Sequence, residues 1–309
     1  MYDTLHLRYD FKHNPPPSKE EVLYNLVDYT TIERHHNNTR TESGKIDNLK
    51  VSYNNQSIII KGSICKYYYG NNVQTMTKNT TKEAIQMLSE TLCFDVSQCD
   101  VTRIDYSTNL STTYPPSVYQ PYLGHLDRYE RNPHKGSLYY KQSTKELIFY
   151  DKVKDASAKG MEIPVEFQGL NLFRFELRIL KNINRQLNQF TKAKDLYNET
   201  TYQKVGSLWY NIYTEIEKRP NKENIIKDMN NIINAKNLDR ALKTQALKSV
   251  GLEEVYAQLL ALKHRGLISE AMYFRKKKEY KELCTTEEQE DDTIAEINHL
   301  IKDVYDNLM

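Results

Sequence analysis

Apolar residues recur with two different periods along this chain, and the change of period divides the chain into two parts. Over about the first 180 residues, short stretches alternate between apolar and polar positions, which is typical of half-buried strands. The predicted strands are Thr4 to Tyr9, Leu49 to Tyr53, Ser57 to Ile64, Val101 to Leu110, Ser137 to Lys141, Glu146 to Val153 and Leu172 to Leu180.

Helical signals lie between these strands and replace them afterwards. The predicted helices are one opened by the capping box of Ser18 with Glu21 and reaching about Tyr29, one begun by Thr80 or Thr81, and two amphipathic helices over residues 205–216 and 252–259. Residues 33–45 are polar and predict a loop. The pattern as a whole predicts an α+β fold with a mainly antiparallel sheet and flanking helices over residues 1–190, followed by an all-helical C-terminal region, residues 191–309.

Composition excludes several classes of protein without identifying one. The net charge of +2 is too small to indicate a nucleic-acid binder, so any basic surface must be local. No apolar run approaches the roughly 20 residues that cross a bilayer, and we expect neither a secretory signal nor a membrane partner. The four cysteines form no C-x-x-C pair, which indicates reduced thiols in a cytosol. The basic run at residues 275–278 and the acidic run at 287–292 are more typical of solvated faces than of a binding site.

Three of the predicted strands carry charged residues on one face. Alternation puts Tyr150 and Lys152 on the same side of one strand. A second strand presents Arg103 and Asp105 together. The third presents, on its polar face, Arg174, Glu176 and Arg178. Such a stripe can be a surface ion-pair ladder that contributes about 1 kcal/mol, or it can be part of a site.

The same residue types suit phosphodiester transfer to a tyrosine. Carboxylate oxygens such as those of Asp105 and Glu176 are the ligands that Mg²⁺ or Mn²⁺ prefers. A free tyrosine has a pKa of about 10, so a nearby cation such as Lys152 is needed to favour the phenolate of Tyr150. The three strands therefore predict a candidate site, provided that they meet.

The order of these motifs resembles the gene II family of replication initiators, the rolling-circle nickases of filamentous phages with related phage and plasmid Rep proteins. The resemblance rests on Thr102-Arg103-Ile104-Asp105, then Leu147 to Lys152, then Phe173 to Arg178, and on the turn Gly70-Asn71-Asn72; it covers about residues 1–200. It implies an endonuclease in the cytoplasm of a bacterial host that nicks one strand of origin DNA. In that family a tyrosine becomes joined to the 5′ phosphate and the free 3′ hydroxyl primes synthesis.

The family's nucleophile carries over onto Tyr150, and its lysine matches Lys152. Asp105 and Glu176 match the acidic positions that flank the nucleophile, and we assign them as metal ligands from their chemistry together with their position. Origin DNA, a host helicase and a polymerase are the partners that this function implies, and an oligomer is compatible with it.

One departure from the wider class of rolling-circle nucleases, and the question of a second tyrosine, leave alternatives open. Many rolling-circle nucleases hold their metal with an H-hydrophobic-H motif, but this chain has only the adjacent pair His35-His36 and no H-x-H. Either carboxylates replace the histidines, or His125 or His134 contributes a ligand. A second tyrosine is required if one subunit both cleaves and rejoins, and Tyr139 and Tyr140 are nearby candidates without a supporting pattern.

The segment from Tyr114 to Lys141 interleaves aromatic and basic residues. It is predicted either to hold single-stranded DNA or to be an ordinary connection packed on the sheet. The residues assigned to DNA binding are Arg103, Arg174, Arg178, Tyr119, Tyr122, Arg128, Arg131 and Lys135. The competing functions are a mobilisation relaxase with the same chemistry and a non-catalytic DNA-binding protein that controls replication.

Overall fold

The structure, a computed structural model, describes residues 1–34, 39–218, 239, 242–243, 246–247, 250–284 and 292–308. Its strands are β1 Tyr2–Asp10, β2 Val27–Arg34, β3 Thr39–Ile46, β4 Leu49–Asn54, β5 Ser57–Ser63, β6 Asp100–Thr112, β7 Glu130–His134, β8 Ser137–Lys141, β9 Lys145–Asp151 and β10 Asn171–Ile179. Within the described part of the chain these strands form one sheet in the order β2-β3-β4-β5-β1-β6-β10-β9-β8-β7, and neighbouring strands are antiparallel.

Helices flank the sheet and dominate the C-terminal part. They are α1 Lys19–Tyr24, α2 Ile64–Tyr69, α3 Lys78–Leu92, α4 Pro116–Tyr119, α5 Lys152–Ala158, α6 Ile183–Leu187, α7 Glu199–Glu215, α8 Leu252–His264, α9 Glu270–Cys284 and α10 Asp292–Asp306. Short 3-10 turns cover Val96–Gln98, Gln120–Tyr122, Val165–Phe167 and Ala193–Tyr197. The predicted α+β class, with a mainly antiparallel sheet and helices after it, is confirmed.

The predicted loop over residues 33–45 is wrong for residues 33–34 and 39–45, because β2 and β3 pair antiparallel there. Threonine recurs in both of these strands, and its branched side chain favours a strand by shape even where it buries little. Val27 is 61% exposed, so this edge of the sheet lacks the apolar alternation that reveals a strand. Two helix ends also differ from the prediction: α1 ends at Tyr24, and α3 is capped by Thr77.

The predicted strand from Glu146 to Val153 is too long by two residues. The Asp151 carboxylate accepts a hydrogen bond from the backbone N–H of Lys154 at 3.0 Å and so caps α5. The chain turns from strand to helix between Asp151 and Lys152. Lys152 is therefore a helical residue, and strand alternation does not determine its direction.

Aromatic residues form the core beneath one face of the central strands. Phe149 of β9 stacks on Phe175 of β10, with ring centroids 4.5 Å apart, and Phe175 stacks on Trp209 of α7 at 4.7 Å. All three are fully buried. Because this face is covered by helices, the charged residues at alternate positions of β6, β9 and β10 point to the opposite face.

The described chain divides into two compact units, residues 1–218 with 296–309, and residues 219–295. The division predicted near residue 190 falls inside the first unit, which also contains most of α10. In the second unit, α8 packs against α9, where the Lys277 ammonium lies 4.8 Å from the centre of the Tyr256 ring. The basic run at residues 275–278 lies on α9; the pair His35-His36 and residues 287–291 of the acidic run lie outside the described residues. Within those residues, no helix is long and apolar enough to span a membrane.

Candidate active site

The register of three neighbouring strands brings the predicted motifs together. On β10, Glu176 lies opposite Ser107 of β6 and Ile148 of β9. Two residues along, Arg178 lies between Asp105 and Glu146; two residues the other way, Arg174 lies between Asn109 and Tyr150. Directly paired residues share a face, so the tyrosine and both carboxylates project from the same side of the sheet.

Tyr150 is hydrogen-bonded to one of these carboxylates. Its hydroxyl, in a partly buried side chain, donates to Oε2 of Glu176 at 3.3 Å. Burial raises the pKa of the Tyr150 hydroxyl well above its usual value of 10.0; Arg174 opposes this, and the negative charge of Glu176 adds to it. The phenol is therefore protonated at neutral pH, and its hydroxyl donates to a carboxylate oxygen.

Glu176 lies between two guanidinium groups. Its Oε1 accepts from Nε of Arg178 at 2.6 Å, and its Oε2 is 3.3 Å from Nε of Arg174. Since the carboxylate is 2% exposed, these contacts compensate for the loss of hydration. The arrangement keeps a negative charge beside Tyr150 in a buried environment.

Asp105 has a different balance of charges. Arg103 donates to both of its oxygens at 2.7 Å, and Nε of Arg178 is 3.7 Å from Oδ2. Burial is the main cause that raises the pKa of Asp105 to about 6; the bonds from Arg103 oppose it, and the charge of Glu176 adds to it. The two carboxylates are thus close enough to repel each other, and an additional cation between them would be stabilised.

The carboxylate oxygens of Asp105 and Glu176 are ligands that a hard divalent cation prefers, but two side chains are few for a metal site. Among the residues that the structure describes, no group of three or more His, Cys, Asp or Glu side chains is placed to hold a metal ion. His125 is exposed, and His134 is the exposed last residue of β7. The sequence pattern did not single out His6, which lies directly opposite Arg103 in the sheet.

Lys152 is fully buried below the site. Its ammonium donates to Oδ1 of Asn72 at 2.7 Å and lies 3.5 Å from Asp155. Burial, reinforced by the charge of Arg174, lowers the pKa of Lys152 to about 8. Lys152 is thus a stronger acid than an ordinary lysine. Tyr150 and Lys152 share an electrostatic neighbour in Arg174.

Arg174 belongs to a buried cluster that sequence reasoning missed. One guanidinium nitrogen donates to Oδ2 of Asp3 at 2.6 Å, and another donates to the backbone carbonyl of Asn72 at 3.0 Å and to Oδ1 of Asn109 at 3.2 Å. The residue is 2% exposed. The donors of Arg174 are used inside the protein, and its assignment to DNA binding stays a prediction that this arrangement does not support. Arg103 and Arg178 have side chains 25% and 30% exposed, and their assignment stays a prediction.

The tyrosine-rich segment is largely a packed connection. Tyr119 and Tyr122 are 0% and 1% exposed, so bases do not reach them in this structure, and their assignment to DNA binding stays a prediction. Tyr119 stacks on Phe173 and donates to Glu296 at 2.5 Å. Arg131 donates to the Leu123 carbonyl at 2.8 Å and stabilises the segment.

The remaining predicted residues of this segment are on the surface. Arg128 and Lys135 are exposed at turns with positive φ, and their binding role stays a prediction. Of the two candidate second tyrosines, Tyr139 pairs with Ile148 and so faces the site. Tyr140 is buried on the other face, where its hydroxyl donates to the Gly124 carbonyl at 2.8 Å.

One face of the antiparallel sheet thus carries a tyrosine among buried charged groups. A family model for the N-terminal part of a phage replication-associated protein matches residues 1–203 of the 309. The chain belongs to this family, and it is a phage-type replication initiator. No curated protein matches the chain.

Proposed function

We propose that the chain initiates rolling-circle replication by nicking one strand of origin DNA with Tyr150. The observation that supports this most is the hydrogen bond from the Tyr150 hydroxyl to Glu176, on a sheet face shared with Asp105 and Arg178. A structural tyrosine does not require two buried carboxylates and two partly exposed arginines around it. The family resemblance adds that the product is a 5′-phosphotyrosine with a free 3′ hydroxyl.

In the proposed step, the Tyr150 oxygen forms a bond to the scissile phosphorus while the bond from phosphorus to the 3′ oxygen breaks. The phenolic proton passes to Glu176. The leaving 3′ oxygen takes a proton from water. The buried Lys152 ammonium would add positive charge near the site without contacting the DNA. Arg178 and Arg103 would offset the negative charge that develops on the phosphate. Rejoining is the reverse reaction.

A divalent cation, Mg²⁺ or Mn²⁺, is part of the proposal. Asp105 and Glu176 would hold it, because their mutual repulsion is relieved by a shared cation. When bound, the ion would polarise the scissile phosphate. Arg103 and Arg178 now contact these carboxylates and would give up part of those contacts.

The proposed place of action is the cytoplasm of a bacterial host, on single-stranded or supercoiled origin DNA. A host helicase and polymerase would then extend the free 3′ end. Residues 219–295 would bind such partners or mediate self-association, and this role is also a proposal.

The decisive experiment incubates the full chain with supercoiled origin-bearing DNA and Mg²⁺ or Mn²⁺. We expect an open-circular product with protein attached to its 5′ end, and complete loss of this product in Tyr150→Phe. Tyr139→Phe is the matched control on the same face and should still nick. If Tyr150→Phe nicks as well as the parent, the assigned nucleophile is incorrect. If no variant nicks and all bind DNA, the protein is a non-catalytic binder.

A further inference from the structure

A row of basic side chains crosses half of the sheet and leads to the candidate site. Its members are paired one to the next across five neighbouring strands: Lys45 of β3, Lys50 of β4, Lys61 of β5, His6 of β1 and Arg103 of β6. We call these five residues the basic row.

The whole row projects from the face that carries the site. Directly paired residues share a face, and Arg103 is two residues from Asp105 on the same strand. The three lysines are exposed, whereas the residues next to them, such as Leu49, Ile46 and Ile60, are buried. The lysines of the row therefore lie on an exposed surface, and its last member, the partly exposed Arg103, contacts the buried Asp105, which pairs with the partly exposed Arg178.

The charges at the two ends of the basic row are paired with carboxylates of the chain, whereas the charges of the two lysines in its middle are not. Lys45 lies 2.7 Å from Asp28, and Arg103 is held by Asp105. Among the described residues, no carboxylate lies within ion-pair distance of Lys50 or Lys61. Lysines directly opposite each other on a sheet destabilise it, and an ordinary solvated face pairs opposite charges instead. Two adjacent uncompensated lysines therefore indicate an anion outside the chain.

The environment of His6 agrees with a positive potential along the row. Burial is the main cause that lowers the pKa of His6 to about 4, and the charges of Arg103 and Lys61 contribute to the same shift. The imidazole is therefore neutral at pH 7. It can donate or accept a hydrogen bond there without adding to the repulsion between the cations.

We propose that the basic row binds the phosphate backbone of one DNA strand and guides it across the sheet to the site. The proposal rests on the proposed function, because it takes DNA as the polyanion. Strands in a sheet lie about 4.8 Å apart, so five strands span about 19 Å, enough for several successive phosphates. The row is one residue wide, which fits a single strand better than the two backbones of a duplex. Lysine contacts to phosphate carry affinity and no base specificity.

The test measures binding without cleavage. The full chain carrying Tyr150→Phe is titrated with a fluorescent oligo(dT) of about 20 nucleotides at several salt concentrations, and the double variant Lys50→Ala/Lys61→Ala is compared with it. Each phosphate contact on a single strand contributes about 0.7 to the slope of log affinity against log salt. Two lost contacts should reduce the slope by about 1.4, which corresponds to roughly 25-fold weaker binding at about 0.1 M salt.

A second double variant controls for net charge. Lys12 and Lys82 are exposed lysines outside the basic row, so Lys12→Ala/Lys82→Ala removes the same charge and should weaken binding only slightly. Equal binding by the parent and the Lys50/Lys61 variant overturns the proposal, and so does an equal loss in the control. Weakened binding of duplex alone, in a parallel titration, overturns the assignment to one strand. A parent chain that binds no oligonucleotide contradicts the proposed function itself.

Discussion

Arg174 and Arg178 lie on the same face of β10, yet burial gives them different roles. Arg174 is 2% exposed and donates to Asp3, Asn72 and Asn109, so it holds the strand to the segments packed above it. The side chain of Arg178 is 30% exposed and contacts Glu176 and Glu146 at the open edge of the cluster. Arg178 is thus the arginine of this strand that can meet a phosphate.

Asp105 is expected to be a residue whose ionisation destabilises the fold. Its pKa of about 6 lies above the value of 3.8 expected for an unfolded chain. A raised carboxyl pKa contributes stability below about pH 4 that is lost as pH rises to about 6, at roughly 1.4 kcal/mol per unit. Asp105→Asn mimics the protonated form, so in metal-free buffer at about pH 7 the variant should be more stable than the parent by up to about 3 kcal/mol. Urea unfolding of both proteins at about pH 4 and pH 7 measures this.

The same substitution should reduce nicking strongly, because it removes a proposed metal ligand while DNA binding remains measurable. A difference in stability that is the same at both pH values would show that Asp105 is ionised normally in the fold. Full nicking by Asp105→Asn would remove Asp105 from the metal site.

At the scale of elements, the turn after α2 is what connects the site to the N-terminal strand. Gly70 ends α2 with φ +75°, a left-handed conformation that favours glycine. The chain then places Asn72 so that its Nδ2 donates to Asp3 at 3.1 Å and its Oδ1 accepts from Lys152 at 2.7 Å. One asparagine thus links β1 to the start of α5.

Removing the link through Asn72 should lower the free energy of unfolding. Asn72→Ala takes one hydrogen-bond partner from the buried Lys152 ammonium and one from the Asp3 carboxylate, and each lost bond of this kind costs about 1–3 kcal/mol. We expect a decrease of about 2–4 kcal/mol in the free energy of unfolding, measured in urea. Asn55→Ala, in the exposed β4–β5 turn, is the control and should change it by less than about 0.5 kcal/mol. Similar values for the two variants would mean that Asn72 is not a structural link.

Alternation along single strands was enough to predict the polar faces of β6 and β10. The choice of Tyr150, Asp105 and Glu176 as site residues needed the family resemblance as well, and it stays a prediction. Alternation could not reveal Asp3 or Asn72, because their contacts join segments that are far apart in the chain, 69 residues for Asn72 with Asp3 and 171 for Arg174 with Asp3. It also misplaced Lys152, since the capping bond of Asp151 ends the strand early. The burial of Arg174 likewise depends on tertiary contacts, so the alternation of its own strand does not predict it.

At the scale of the whole molecule, the last helix returns to the sheet-containing unit. Tyr305 of α10 stacks on Tyr210 of α7 with ring centroids 4.2 Å apart, and Asn298 accepts from the Tyr213 hydroxyl at 2.5 Å. Glu296 accepts from the Thr113 backbone N–H at 2.7 Å as well as from Tyr119. The family model ends at residue 203, and periodicity alone does not show that a helix almost 90 residues later completes this unit.

We therefore expect residues 1–218 to be much less stable without α10. Ile297 and Ile301 are fully buried, and burial of each such side chain contributes about 1.5–3 kcal/mol. With the lost hydrogen bonds of Glu296, removal of residues 292–309 should cost at least about 4 kcal/mol, a large part of the roughly 5–15 kcal/mol typical of a folded domain. Thermal unfolding of the fragment 1–291, compared with the full chain, measures this. Glu296→Gln in the full chain is the milder control, because it keeps the apolar contacts and loses only the charge. A fragment that melts at the same temperature as the full chain would show that α10 adds nothing to the fold around Tyr150.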